Sequence, residues 1–102
     1  MKIDILYFDG CPHARDTLKL IKEIVEELKV DAEIEFIKIR DLEDAKRLNF
    51  YGSPSVHING VDLEEGMANR DILYGCRVYQ TEERFSGMPP KDLIIKKILE
   101  AK

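Results

Sequence analysis

The chain has little cysteine and no long apolar run. Only Cys11 and Cys76 occur among 102 residues. A secreted disulfide scaffold of this size would carry more. Two cysteines far apart leave catalysis, metal binding or inert burial, and the count does not choose among them. No stretch approaches the ~18 apolar residues of a membrane span, and the opening MKIDILYF lacks a signal-peptide layout. A soluble, cytoplasmic protein with no membrane partner is therefore expected. Excess positive charge is missing too. The net charge is -4, with 16 Lys and Arg against 20 Asp and Glu, so the basic stripe of a nucleic-acid binder is not seen. Lys22, Glu23, Glu26, Glu27 and Lys29 interleave both signs, as a solvated helix face does. No nucleic-acid partner is expected. Repeats, low-complexity tracts and linkers are absent, and the length fits one domain, residues 1–102.

What is present is an alternation of strand and helix patterns. Residues 2–8 form a mostly apolar run that stops at Asp9-Gly10, a turn signal. Its length suits a strand buried on both faces. Helical spacing follows at Ala14, Leu18, Ile21, Val25 and Leu28, with Thr17 and Ile24 flanking, and predicts a helix over 12–29. Pro12 fits the first helical position, whose N–H has no intrahelical partner. Residues 32–39 alternate, with Ile34 and Phe36 on one face and Glu33, Glu35 and Lys38 towards water. Asp41 then caps a short helix through residue 49, with Asp44 three residues on in a capping-box-like place and Leu42, Ala45 and Leu48 inward.

Gly52-Ser53-Pro54 breaks the chain before a short strand at 55–58, which Asn59-Gly60 ends in a turn. Residues 60–75 read as a long surface loop with a helical turn near 70–74. Residues 77–80 and 84–85 read as a small hairpin about the turn 81–83. Pro89-Pro90 opens a last helix, over 90–101, with Ile94, Ile95, Ile98 and Leu99 on its apolar face. Tyr7, Phe8, Phe36 and Phe50 are assigned to the core. His57, in the short strand, reads as a packed or edge histidine rather than a ligand.

The most informative stretch is Tyr7-Phe8-Asp9-Gly10-Cys11-Pro12-His13-Ala14. It delivers a cysteine to a helix N-terminus. Unpartnered N–H groups and the positive end of the helix dipole favour thiolate over thiol there. The thiolate is both the nucleophile and the soft-metal ligand. The alternative is a small apolar N-cap, although Ser, Thr or Asp would cap better. For His13 two readings stand: a nearby positive charge when protonated, or an exposed first-turn residue. Asp9 either opposes the thiolate or simply belongs to the turn.

At these residues the chain resembles the thioredoxin superfamily. Cys11-Pro12-His13-Ala14 is similar to the family's Cys-Pro-x-Cys motif, Ser53-Pro54-Ser55 is similar to its cis-proline loop, and the element order matches the glutaredoxin-like core. The resemblance implies an α/β thioredoxin-like fold, a central mixed sheet of about four strands flanked by three helices. It implies Cys11 as the catalytic nucleophile with His13 beside it in the motif, and Pro12, Ser53 and Pro54 as substrate-binding residues; Cys76 joins the catalytic set as a candidate resolving thiol. Pro54 would be cis, facing Cys11, with the Ser53 backbone open to an extended substrate as in strand addition. An ordinary trans turn proline is the alternative.

The departure from the family is Ala14, where the second active-site cysteine would stand. A mixed disulfide on Cys11 would then be resolved by an external low-molecular-weight thiol or by Cys76. The topology implied by the resemblance brings residues 77–80, and Cys76 with them, to the active-site end. A buried structural cysteine is the other reading. The implied activity is thiol–disulfide exchange on a disulfide or thiol substrate protein or a low-molecular-weight thiol, with no cofactor and no metal. The alternative is a non-catalytic module that binds a soft metal (Hg or Cu), an organomercurial or a peptide. Phe8-Asp9-Gly10-Cys11-Pro12 and Cys76-Arg77-Val78-Tyr79 also resemble small thioredoxin-like proteins labelled as related to alkylmercury lyase. Soft thiolates suit such metals, but no Cys-x-x-Cys spacing or third thiol supports a dedicated centre.

Overall fold

The apolar run at the N-terminus forms β1 (Lys2–Tyr7), with Ile3 and Ile5 fully buried and Leu6 nearly so. In this computed structural model residues 1–64, 71–77, 79–80 and 85–102 are described, with the backbone alone at 73, 74, 76, 80, 85 and 86. β1 pairs in parallel with β2 (Glu33–Lys38), Ile5 opposite Phe36, and antiparallel with β4 (Ser55–Ile58), Leu6 opposite Ser55. A two-residue turn, Asn59 at φ 53° and Gly60 at φ 84°, joins β4 to β5 (Val61–Asp62). Both left-handed residues are what a tight type I′ hairpin needs. The sheet order is β2-β1-β4-β5, the mixed four-stranded sheet expected.

Side-chain parity along β1 divides the core. Ile3 and Ile5 pack with Ile21 and Ile24 of α1 (Ala14–Glu27), Val56 and Ile58 of β4, Leu63, and Ile94 and Ile98 of α3 (Lys91–Ala101). Leu6, on the other face, packs with Ile39, Phe50 and Ala45 of α2 (Leu42–Arg47). Two helices therefore cover one face and one covers the other. β1 is not buried throughout: Lys2, Asp4 and Tyr7 are half-buried, and the Tyr7 ring stacks on Phe36 at 4.0 Å.

Several expected details are corrected. The buried stripe of α1 is Ala14, Thr17, Ile21 and Ile24, one position round from the expected line, with Leu18, Val25 and Leu28 at its margin. Thr17 tolerates burial because its hydroxyl donates to the His13 carbonyl at 2.7 Å. Asp41 does cap α2, accepting the Asp44 N–H at 2.8 Å. Asp44 does not reciprocate to Asp41. Its carboxylate accepts instead from the Arg40 N–H and Nε and from Arg47. Leu42 and Leu99, assigned inward, are about half exposed (49% and 50%), since each sits on the far edge of a stripe already filled by Ala45 or by Ile94 and Ile98.

The stretch 60–75 is not one loop. β5 opens it, Leu63 is fully buried, and residues 73–76 form a strand rather than a helical turn. This strand, β6 (Leu73–Cys76), pairs in parallel with β3 (Tyr51–Ser53), which the sequence pattern had not suggested. The expected hairpin is present as β7 (Tyr79–Gln80) against β8 (Phe85–Ser86). Its turn at 81–83 lies outside the described residues.

Candidate active site

β1 runs into a turn in which the Cys11 N–H donates to the Phe8 carbonyl at 3.3 Å. Gly10, at φ 89°, supplies the left-handed corner. Cys11 emerges from it half-buried, with a free thiol. Helix α1 starts later than expected. Its N-cap is His13 and its first residue Ala14, because the first helical bond closes from the Thr17 N–H onto His13 O at 3.0 Å. Pro12 therefore precedes the helix instead of opening it, and Cys11 lies two residues before the cap. The His13 side chain makes no capping hydrogen bond. Its ring rests against Gly87, where an added Cβ would lie 2.5 Å from Cδ2. Asp9 pairs with Lys38 Nζ at 3.2 Å and is well exposed, so it belongs to the turn's solvent side.

The loop opposite is fastened to the same turn. Ser53 Oγ accepts the Phe8 N–H at 3.4 Å, and the Ser53–Pro54 peptide bond is cis. Ser55 Oγ donates to the Gly52 carbonyl at 2.5 Å. The Ser53 backbone is not left open as the resemblance implied. Ser53 is 2% exposed, and its carbonyl accepts the Arg77 N–H at 3.0 Å. In register, Ser53 faces Cys76. The structure thus brings the Cys76 backbone to the cis-proline loop, while the Cys76 side chain lies outside the described residues.

Sequence reasoning missed the group that holds this arrangement. Arg77 is 4% exposed. Its Nη1 donates to Asp62 Oδ2 at 2.8 Å and Ser55 Oγ at 3.1 Å, and its Nη2 to Asp62 Oδ1 at 2.7 Å and Glu64 Oε1 at 2.8 Å. The guanidinium lies 4.4 Å from the Tyr79 ring centroid, and Nε is buried without a partner among the described residues. Burial opposes the Arg77 charge, but Asp62 and Glu64 outweigh it and hold its pKa above the ordinary value. Tyr79 is fully buried and donates its hydroxyl to Pro54 O at 2.6 Å. Burial pushes that hydroxyl's pKa up; Arg77 opposes, while Asp62 and Glu64 reinforce the shift.

Gly52 explains how the segments come so close. It sits at φ 101°, and a Cβ there would meet Arg77 Cβ at 2.8 Å and Cα at 3.1 Å. The one usable signal for this network was Asn59-Gly60, whose turn sets Asp62 opposite His57. His57 is a packed residue, as expected, 8% exposed and 3.7 Å from Asp62. Burial lowers its pKa; Asp62 and Asp4 oppose that shift and Arg77 adds to it.

Among the described residues no helix is long and apolar enough to cross a membrane. No curated protein and no solved structure matches the chain. The family model described as a thioredoxin domain matches residues 1–73, from β1 to the start of β6. With that match and with helices on both faces of a mixed four-stranded sheet, the chain belongs to the thioredoxin domain family.

Proposed function

We propose that the protein is a thiol–disulfide oxidoreductase in which Cys11 is the nucleophile. The observation that carries this reading is the placement of a half-buried free thiol on the turn that Ser53 fastens to the cis-proline loop. The Cys11 thiolate attacks one sulfur of a disulfide R–S–S–R′. A Cys11–S–S–R bond forms, the R–S–S–R′ bond breaks, and R′S⁻ leaves and takes a proton from water. A second thiolate then attacks the mixed disulfide. It returns Cys11 as thiolate when it bonds to R, or releases RS⁻ when it bonds to Cys11.

Ala14 stands where the family's second cysteine would be, and it is 3% exposed, so the resolving thiol comes from elsewhere. Cys76, whose backbone faces Ser53, is the resolving thiol within the chain, and an external low-molecular-weight thiol is the other source. Pro12 shapes the turn that presents Cys11. His13 stands at the helix cap, and Ser53, fastened to the same turn, and Pro54 are the substrate-binding residues of this reading. The test is stoichiometric reaction with oxidised glutathione followed by mass spectrometry. The native protein and Cys76→Ser should gain a mixed disulfide or its product through Cys11, and Cys11→Ser should gain none. Equal modification of Cys11→Ser would end this reading.

A further inference from the structure

We infer that β6 and Arg77 fill the edge at which an extended peptide would dock beside the proline loop, so that Cys11 serves small disulfides rather than disulfides in extended protein segments. This rests on the proposed role of Cys11 as nucleophile. Docking by strand addition needs free backbone donors and acceptors on an edge. At Ser53 that requirement is not met. Its carbonyl holds the Arg77 N–H, its register partner is Cys76, and two residues earlier Tyr51 faces Leu73.

The occupying segment is anchored by two side chains that follow the C-terminal end of β6. Arg77 is tied to Asp62, Glu64 and Ser55. Tyr79 is tied to the Pro54 carbonyl. A peptide seeking the Ser53 edge would have to displace β6, which draws Arg77 out of a pocket where Asp62 is itself buried and leaves that carboxylate without its cation. The glycine at 52 lets the two backbones approach so closely that a third strand cannot be slipped between them. A small disulfide asks for none of this. It needs access to one sulfur, and Cys11 is half-buried rather than closed off.

The test measures the rate of mixed-disulfide formation at Cys11 in the Cys76→Ser background, where the first adduct persists. Oxidised glutathione is compared with a symmetrical disulfide of a short unstructured peptide. Each rate is divided by the rate of N-acetylcysteine amide with the same disulfide, which removes intrinsic reactivity. The inference predicts that the normalised peptide rate falls below the glutathione rate by about tenfold or more, equivalent to about 1.4 kcal/mol. An equal or faster peptide rate overturns it. No adduct at Cys11 with either disulfide refutes the nucleophile itself, and the inference falls with it. Arg77→Met and Tyr79→Phe, each of which loosens β6, should move the peptide-to-glutathione ratio towards one. Tyr79→Phe loses a single hydroxyl and keeps its ring, so it decides the matter even where Arg77→Met does not fold. A ratio unmoved in a folded variant assigns the discrimination elsewhere and overturns the inference.

Discussion

Replacing Arg77 by Met is the most demanding stability test of the network beside the cis-proline loop. The side chain is 3% exposed and makes its four hydrogen bonds to Asp62, Glu64 and Ser55. Met preserves much of the volume and removes the charge. Asp62, 7% exposed, then loses its cation and keeps, among the described residues, the Glu64 N–H at 2.9 Å and His57 at 3.7 Å, a ring whose burial already disfavours its protonation. Removing one partner of a buried ion pair costs about 3–5 kcal/mol, because the remaining charge stays desolvated. The Glu64 contact adds little, since that carboxylate is 31% exposed and solvent screens it. The loss is large against the ~5–15 kcal/mol that stabilises a domain of this kind. At about 4–8 °C per kcal/mol, the melting temperature should fall by at least about 12 °C. Urea unfolding gives the free-energy change directly, provided the denaturant slope matches that of the native protein. The double variant Arg77→Met/Asp62→Asn should lose less than Arg77→Met alone, because the orphaned charge is gone; the two sites should couple by about 1–3 kcal/mol. A loss below about 1 kcal/mol for Arg77→Met, or strict additivity of the pair, would refute the reasoning.

Gly52→Ala should destabilise by about 2 kcal/mol or more, since a left-handed non-glycine residue costs roughly 1–2 kcal/mol by itself and the new Cβ would also press on the Arg77 backbone; urea unfolding checks it, and a neutral result would mean that β3 and β6 are not in close contact. Asp41→Ala should cost about 1 kcal/mol through the lost cap on the Asp44 N–H, with Asp41→Ser recovering most of it in the same assay. Stability should fall as pH drops through the unfolded His57 value of 6.5. Burial holds the folded pKa below that value, so in this window the unfolded chain binds more protons than the native one and stability rises with pH. Unfolding curves at several pH values should show that slope in the native protein and a flatter one in His57→Gln; identical slopes would contradict the burial argument.

Elements that carry their own pattern were legible in the sequence. β1, β2, β4, α1 and α3 announce themselves by apolar spacing, and α2 by the Asp41 cap, which the structure keeps. The boundary at Cys11 was less legible. Pro12 is compatible with a helix start, yet nothing in the sequence tells that the first helical bond closes on His13 rather than on a residue before it. β3 and β6 were hidden for a different reason. Tyr51-Gly52-Ser53 and Leu73-Tyr74-Gly75-Cys76 each contain a glycine and no alternation, so only their pairing across twenty-odd residues makes them strands. Arg77 was hidden most completely. A lone arginine in a charged chain reads as surface, and its burial depends on Asp62, Glu64 and Ser55 converging from other segments.

The central claim is that Cys11 is the exchanging thiol, and intact-mass analysis after limited oxidation tests it most directly. The native protein, Cys11→Ser and Cys76→Ser are each treated with one equivalent of oxidised glutathione, quenched with acid and digested for mapping. The account predicts a Cys11–glutathione adduct that persists in Cys76→Ser. In the native protein it should pass to an internal Cys11–Cys76 disulfide, seen as the loss of two hydrogens, or be released by added thiol. Cys11→Ser should remain unmodified on the same timescale. Modification of Cys76 in Cys11→Ser at the native rate, with Cys11 left free in Cys76→Ser, would contradict the account.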